Sequence, residues 1–380
     1  MLIPRTKLIE EFRELLIQSQ HQYIAIVSPS GWGKTTFLSL LAEAEIIDAS
    51  STVYATVLDS STFSKEKPKT LIFDGDIVPD ISDIRTFIES EMLDSKVIYS
   101  TEALWTESDV SYFQIPWISF REYSEGYGHP VEIGAILGGT ADIAELNSLR
   151  DDYIHLGQYG KNISDPENLE EIWNDKIAIM VEELFEKEKN DFIEYIRTLA
   201  LGVGDLFKED RIAKMMGISR RKVRKYTELL MKHGFVRAIG PFGDSPDTEL
   251  FRHVKIYFSD LSFLAIALGV GYYHGPTKQW VLENFIFLEL DRKLAGSHDI
   301  RFYRKKSGAE VSFVLVDKQS DLITPIDITV RPTDIIPQAL RLFAETYSDR
   351  IERIMFMNEE RAWQKELNWK TLIILPHVAI

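Results

Sequence analysis

The sequence contains no cysteine, which excludes disulfide bonds, thiolate metal sites and cysteine nucleophiles and fits a reducing compartment. It also lacks a long apolar run. The longest nearly uncharged apolar stretch, residues 263–273, is far shorter than the roughly 20 residues that a membrane-spanning helix needs. The first five residues do not follow the basic-then-apolar order of a secretion signal. We therefore expect a cytoplasmic protein that does not enter a membrane.

Positive charge is scarce. The 380 residues include 43 basic and 59 acidic side chains, which gives a net charge of −16. Such a chain repels the phosphates of nucleic acids over most of its surface, so any contact with DNA must come from a local patch. The content of 45% hydrophobic and 27% charged residues is that of a folded globular protein, and the length predicts two or three domains.

A glycine-containing turn lies between two regular elements near the amino terminus. The short β-branched run Tyr23–Val27 is typical of a buried parallel strand, and good helix formers follow from Phe37. The turn between them ends in Gly33-Lys-Thr-Thr36, the informative part of a phosphate-binding loop, although Ser28 stands in place of its first glycine. The residues expected to bind nucleotide phosphates are Ser30, Gly31, Trp32, Gly33, Lys34, Thr35 and Thr36. The alternative is an ordinary turn with a surface lysine.

A nucleotide site of this kind also needs an acidic residue at the end of a neighbouring strand. Thr70–Asp74 supplies it, and we expect Asp74 and the hydroxyl of Thr35 to hold Mg²⁺. A glutamate that orients the attacking water often follows that aspartate, but Gly75 stands here instead. Asp76 is the candidate catalytic base, because it shares a side with Asp74 if the segment stays extended. The alternative for Asp76 is a loop residue that caps the next turn.

Three more segments have the pattern of strands. Lys96–Thr101 ends in hydroxyl side chains, so Ser100 is a candidate contact for the terminal phosphate, the alternative being a polar strand end. Thr52–Asp59 and Tyr112–Phe120 are the other two. Five strands with short helical connections predict an α/β fold with a doubly wound parallel sheet.

Several of these segments together resemble a widespread group of prokaryotic AAA-type P-loop ATPases. The resemblance rests on Ile3-Pro-Arg5, the Gly33–Thr36 loop, Phe73-Asp74 and Ile118-Ser-Phe-Arg-Glu-Tyr123. In that group a C-terminal domain of unknown function follows, which combines a winged helix with a restriction-endonuclease-like fold. The resemblance implies ATP and Mg²⁺ as cofactors. It also implies a homo-oligomer in which a neighbouring copy supplies an arginine finger, which the sequence does not identify.

A basic segment interrupts the acidic chain. Residues 208–237 contain ten basic and three acidic side chains, a net of +7, which leaves −23 for the remainder. The pattern predicts a helix at 210–216, a turn at 217–219, a second helix at 220–233 and a β wing from Gly234, which is the order of a winged helix-turn-helix. The candidate DNA contacts at the start of the second helix are Arg220, Arg221, Arg224 and Lys225. The alternative is a packing module that contacts protein, not nucleic acid. The resemblance also places a winged helix here, closed by Lys255-Ile-Tyr-Phe-Ser-Asp260.

The carboxyl-terminal part resembles the restriction-endonuclease core. A helix to Leu294 is predicted first, and then strands and a helix. The predicted ranges are strands at 300–304, 310–316 and 324–330, a helix at 335–347, and strands at 353–357 and 371–375. The resemblance implies two metal-binding carboxylates and a lysine, but the matching positions hold Ser312, Asp327 and Thr329. Glu283 and Glu310 are further carboxylates near them, yet we expect an inactive scaffold.

These patterns predict four regions: a P-loop ATPase domain at 1–155, a helical linker at 156–205, a winged helix-turn-helix at 206–262 and a PD-(D/E)xK-nuclease-like domain at 275–380. Two functions follow from them. The chain is either an ATPase, whose nucleotide cycle repositions the winged helix on DNA or on a protein partner, or an ATP-binding switch without turnover and without nucleic-acid binding.

Overall fold

A computed structural model describes most of the chain in two compact units. The described residues are 5–28, 34–43, 52–55, 68–74, 81–91, 93–101, 107–157, 171, 174, 177–178, 180–185, 188–243, 253–269, 276–305, 307–331, 333, 335–367 and 370–380. Unit 1 consists of Met1–Ile118 with Tyr159–Ser164, and unit 2 consists of Ser119–Gln158 with Asp165–Ile380. Among the described residues, no helix has both the length and the apolar composition needed to cross a membrane.

Unit 1 contains a five-stranded parallel sheet. Its strands are β1 (Tyr23–Val27), β2 (Thr52–Ala55), β3 (Thr70–Phe73), β4 (Lys96–Thr101) and β5 (Val110–Gln114). They lie in the order β2-β3-β4-β1-β5, and every neighbouring pair is parallel. The coarse prediction of an α/β fold with a parallel sheet is therefore confirmed.

Helices cover both faces of this sheet. On β1, Ile24 and Ile26 pack with apolar residues of helices α1 (Thr6–Gln18) and α2 (Lys34–Glu43). The alternate residues Ala25 and Val27 pack on the opposite face with α3 (Ile81–Ser90). This alternation follows from the period of two along a strand. The burial of both faces explains why β1 is a continuous apolar run.

The last strand of this sheet ends earlier than predicted. β5 ends at Gln114, whereas the sequence pattern predicted a strand from Tyr112 to Phe120. Pro116 has no backbone N–H with which to continue a ladder. The guanidinium of Arg5 instead donates to the carbonyl oxygens of Pro116 and Trp117, at 2.7 and 3.2 Å. The segment after β5 is therefore fixed by a buried arginine within unit 1.

Unit 2 begins with a helix whose amino terminus is capped twice. Helix α4 (Phe120–Gly126) starts after Ser119, which forms a reciprocal capping box with Glu122. The N–H of Phe120 donates to the buried Glu289 carboxylate at 3.1 Å. Part of the ATPase-like segment 118–123 therefore forms the first turn of a helix anchored in unit 2.

Two consecutive helices of unit 2 are joined by a turn of only three residues. The helices described after α4 are α5 (Ile133–Leu137), α6 (Ile143–Leu156), α7 (Lys189–Ala200) and α8 (Glu209–Met216), and α8 is the first helix of the pair. Gly217 then adopts a left-handed conformation at φ 66°, and Ser219 caps α9 (Arg220–Lys232) by accepting from the N–H of Lys222. Strands β6 (Val236–Ile239) and β7 (Lys255–Phe258) pair antiparallel. The two predicted helices and the turn between them are confirmed.

A six-stranded mixed sheet forms the carboxyl-terminal part of unit 2. Helices α10 (Leu261–Leu268) and α11 (Pro276–Lys293) lead into it, and α12 (Gln338–Thr346) packs against it. Its strands are β8 (His298–Arg304), β9 (Glu310–Asp317), β10 (Ile323–Ile328), β11 (Arg353–Asn358), β12 (Trp363–Leu367) and β13 (Lys370–Pro376). They lie in the order β12-β13-β11-β10-β9-β8. The sequence pattern missed β12.

Substituting alanine for Gly157 will lower the stability of unit 2 by about 2 kcal/mol, because its conformation (φ 77°, ψ −177°) is open almost only to glycine. An added Cβ would also lie 2.7 Å from Oδ2 of Asp260, which caps α10. Thermal unfolding of the full chain measures the effect. Gly202→Ala is the matched control, since a Cβ there meets no atom closer than 3.6 Å. Equal melting temperatures for the two variants would contradict the prediction.

Candidate functional site

The carboxyl end of β1 is the point where the chain reverses its direction across the parallel sheet. From β1 the chain runs to β2 at one edge, and it returns through β3 and β4 to β5 on the other side of β1. In open α/β sheets, ligands bind in the crevice outside the carboxyl ends of the strands at such a point. The loop predicted to bind phosphate connects β1 to α2 at this position.

The two ends of that loop meet at the carboxyl end of β1. Lys34 is the first residue of α2, and its ammonium donates to the carbonyl oxygen of Ser28 at 2.7 Å. The buried Ser28 is itself held to β4, because its N–H donates to the carbonyl oxygen of Thr101 at 3.1 Å. Thr35 and Thr36 are exposed in the first turn of α2. A lysine ammonium and a helix amino terminus therefore share one edge of the sheet, where both attract anions.

Asp74 and Ser100 lie at the same edge and on the same face of the sheet. Ser100 pairs with Ile26 of β1, and Asp74 directly follows the pair formed by Phe73 and Tyr99, so it lies beside Ser100. Neighbouring strands are about 4.8 Å apart, and side chains alternate between faces. Both residues therefore point to the face that α2 covers, where Ile72 packs.

Ser100 is a buried polar residue with an unsatisfied side chain. It is 2% exposed, and its hydroxyl has no hydrogen-bond partner among the described residues. Buried hydroxyl groups nearly always have a partner, so this hydroxyl is available to a group outside the described residues. Burial raises the pKa of Tyr54 on β2, and the charge of the partly exposed Asp74 raises it further. This charge therefore reaches the neighbouring strand, and the sequence pattern did not indicate Tyr54.

Five of the residues predicted to act at this site lie outside the described residues: Ser30, Gly31, Trp32, Gly33 and Asp76. Their roles stay predictions. The described part of the structure brings together Lys34, Thr35, Asp74 and Ser100 at one edge of the sheet.

The predicted DNA contacts lie in the first half of α9 and are largely paired with carboxylates. Arg220 pairs with Asp210 at 2.6 Å, and Arg224 forms a bidentate pair with Glu209 at 3.1 and 3.0 Å. Lys225 pairs with Glu188 at 2.8 Å. Among the described residues, Arg221 alone of the four predicted contacts has no ion-pair partner.

The basic segment 208–237 is also neutralised from outside. Five carboxylates from other parts of the chain pair with it: Glu183, Glu188, Asp191, Asp205 and Asp291. Subtracting their five charges from the net of +7 leaves +2. The sequence pattern could not show these partners, because they approach the basic segment only in the folded chain.

Two carboxylates that the sequence analysis compared with nuclease ligands, Glu283 and Glu310, contact one lysine. Lys255 of β7 is 0% exposed, and its ammonium contacts Glu283 of α11 at 3.0 Å and also Glu310 of β9. Tyr257 donates to the same Glu283 oxygen at 2.7 Å, and Arg304 pairs with Glu310 at 2.6 Å. Burial lowers the pKa of Lys255, but the two carboxylates outweigh it and hold that pKa above its usual range. The sequence pattern indicated Lys255 and both carboxylates but not their contact.

Two of the positions that match the nuclease resemblance, Ser312 and Asp327, contact each other. The hydroxyl of Ser312 donates to Oδ1 of Asp327 at 3.1 Å. Burial raises the pKa of Asp327 to about 6, which the bond from Ser312 partly opposes. In the described part of the chain, no three His, Asp or Glu side chains are grouped so that they could hold a metal ion. Glu283 and Glu310 are instead committed to Lys255.

One family matches part of this chain. The family described as Domain of unknown function (DUF8612) matches residues 180–273, a range that includes α7 to α10, β6 and β7. The matched range thus contains the basic helix α9, the acidic residues Glu183, Glu188 and Asp191, and Lys255. No curated protein matches the chain.

Proposed function

We propose that unit 1 binds ATP together with Mg²⁺ at the carboxyl edge of its parallel sheet. The observation that carries the proposal is the meeting of Lys34 and Ser28 at the point where the chain reverses across the sheet. Asp74 and Ser100 support it, because both lie at this edge on the face that α2 covers. A site that binds a phosphate together with a cation needs a lysine ammonium, a hydroxyl and a carboxylate, which these residues supply.

Each of these residues has a role that suits its chemistry. The Lys34 ammonium exchanges the Ser28 carbonyl oxygen for a phosphate oxygen, to which it makes a stronger charge-assisted bond. The Thr35 hydroxyl and the Asp74 carboxylate offer the oxygen ligands that Mg²⁺ prefers. The hydroxyl of Ser100, which has no partner in the described part of the chain, donates to the terminal phosphate. Asp76 is proposed as the base that orients the attacking water.

Replacing Lys34 with alanine will weaken the binding of ATP and Mg²⁺ by at least about tenfold, because a hydrogen bond to a charged group contributes roughly 1.5–3 kcal/mol. Titration of the full chain with a fluorescent ATP analogue measures the affinity. Lys7→Ala is the matched control, since Lys7 is an exposed lysine on α1 of the same unit. If the wild-type protein binds no nucleotide, or if Lys34→Ala binds as tightly as Lys7→Ala, the proposal is wrong.

Hydrolysis distinguishes the two functions that the sequence pattern left open. Phosphate release by the wild-type protein that is lost in Lys34→Ala and reduced in Asp76→Asn supports an ATPase. Tight binding without turnover supports a nucleotide-dependent switch. In both cases we propose that the nucleotide state of unit 1 affects unit 2, since only residues 115–119 connect β5 to α4. β5 lies directly beside β1, so a change at the nucleotide site reaches α4 along a short connection.

A further inference from the structure

An acidic segment covers the basic face of helix α9 within unit 2. Lys222 pairs with Asp191 at 2.6 Å, Lys225 with Glu188 at 2.8 Å, and Lys232 with Glu183 at 2.8 Å. These carboxylates lie 31, 37 and 49 residues before their partners in the chain. We call Glu183, Glu188 and Asp191 the acidic cover. Its three contacts follow α9 from its first turn to its last.

The cover combines a buried carboxylate at Glu188, a half-buried pair at Asp191 and an exposed pair at Glu183. The side chain of Glu188 is 9% exposed, and its backbone carbonyl accepts from the Tyr226 hydroxyl at 3.3 Å. Lys232, in contrast, keeps 63% of its side chain exposed while it pairs with Glu183. Exposed ion pairs contribute only about 0–1 kcal/mol each, so a stronger polyanion displaces them. The cover therefore occupies these lysines, but its contacts are weak enough for another anion to replace them.

A groove beside α9 offers room for such a competitor. It has a volume of about 690 Å³, and its lining consists of four cations, Ser219 and two carboxylates: Arg221, Lys222, Arg224, Lys225, Ser219, Glu188 and Glu228. Arg221 has no carboxylate partner among the described residues, so one cation already faces solvent. The amino terminus of α9 adds the positive end of a helix dipole at the same place. The groove thus combines features that hold phosphates in a row.

We propose that the acidic cover competes with duplex DNA for the basic side chains of α9. When DNA binds, its phosphates replace the carboxylates of Glu183, Glu188 and Asp191. The tight turn at Gly217 between α8 and α9 favours duplex DNA, because a helix presented in this way enters a major groove. The cover explains how a segment of net +7 sits in a chain of net −16 with little free basic surface. The proposed competition between the acidic cover and DNA does not depend on nucleotide binding by unit 1.

Neutralising the cover tests the proposal. The full chain with Glu183→Gln, Glu188→Gln and Asp191→Asn should bind a fluorescent duplex at least about tenfold more tightly than the wild-type protein in 50 mM salt. Because three lysines become available, the slope of log affinity against log salt should steepen by about 2.7. Fluorescence anisotropy between 50 and 200 mM salt gives both quantities. Circular dichroism confirms that the variant is folded.

Two controls keep the result specific. The triple change Glu10→Gln, Glu11→Gln and Glu14→Gln alters the net charge equally but lies on exposed positions of α1 in unit 1, so it should leave binding as in the wild-type protein. Glu183→Gln with Asp191→Asn, which spares the buried Glu188, should give about two thirds of the change in slope.

Three results would overturn the proposal. The first is a cover variant that binds duplex DNA no better than the α1 control. The second is binding by the cover variant that Arg221→Ala with Arg224→Ala does not weaken, since those two arginines line the groove. The third is equal affinity of the cover variant for polyglutamate, which would assign the surface to an acidic protein instead.

Discussion

Replacing Lys255 with methionine will lower the stability of unit 2 by about 3–5 kcal/mol, which is the usual cost of removing one partner from a buried ion pair. Methionine keeps the apolar stem of the lysine but removes its ammonium. The carboxylates of Glu283 and Glu310 then lose the cation that both of them contact. Because Glu283 is buried, water cannot replace that cation.

Urea unfolding of the full chain, followed by circular dichroism, measures this effect. Lys214→Met is the matched control, because Lys214 is exposed on α8 and has no ion-pair partner among the described residues; it should change the stability by less than about 0.5 kcal/mol. Adding Glu283→Gln and Glu310→Gln to Lys255→Met should restore part of the loss, since no unpaired charge then remains. A Lys255→Met protein within 1 kcal/mol of the control, a threshold well below the usual cost, would contradict this account.

The Lys255 contacts join three separate elements of unit 2. The lysine belongs to β7, Glu283 to α11 and Glu310 to β9, so the ion pairs hold a small hairpin against the large mixed sheet and its leading helix. Gly204 packs closely on the same group, because a Cβ there would lie 3.2 Å from Oε1 of Glu283. The acidic residues that resembled part of a nuclease site therefore have a structural role in this chain.

The parts of the fold that sequence patterns predicted correctly depend on neighbouring residues. The run Tyr23–Val27 and the helix formers after the glycine turn determine a strand and a helix almost by themselves. Ser219 and Gly217 likewise fix the helix pair through local backbone preferences. Such features need no knowledge of the rest of the chain.

The features that the patterns missed depend on distant contacts. Strand β12 reads Trp-Gln-Lys-Glu-Leu, and it becomes a strand because it pairs with β13, not because its residues prefer one. The Lys255 ion pairs and the acidic cover join residues far apart in the sequence. The net charge of 208–237 therefore overstated the free basic surface, since a sum over a segment cannot include partners from elsewhere in the fold.

Replacing Glu289 with glutamine will make the stability of unit 2 less dependent on pH. Burial raises the pKa of Glu289 to about 7 in the folded chain, and this effect exceeds the opposing attraction of Arg292 and the bonds from the Phe120 N–H and the Tyr153 hydroxyl. The folded state therefore keeps a proton that the unfolded state loses near pH 4.5. The contribution of Glu289 to the free energy of unfolding is greatest below about pH 4.5. It falls by about 3 kcal/mol as the pH rises to 7.

Glutamine resembles the protonated form of Glu289, so the variant and the wild-type protein should have similar stability at pH 5. At pH 8 the variant should be more stable by up to about 3 kcal/mol, because it has no charge to bury. The neighbouring charges Arg292, Glu122 and Lys293 are present in both proteins, so the two proteins differ only at residue 289. Urea unfolding at pH 5, 6, 7 and 8 measures that difference, and the exposed Glu194→Gln is the control.

A constant difference between pH 5 and pH 8 would show that Glu289 does not hold a proton in the fold. A difference that opens across this window would instead show that the burial of the charged Glu289 carboxylate lowers the stability of unit 2.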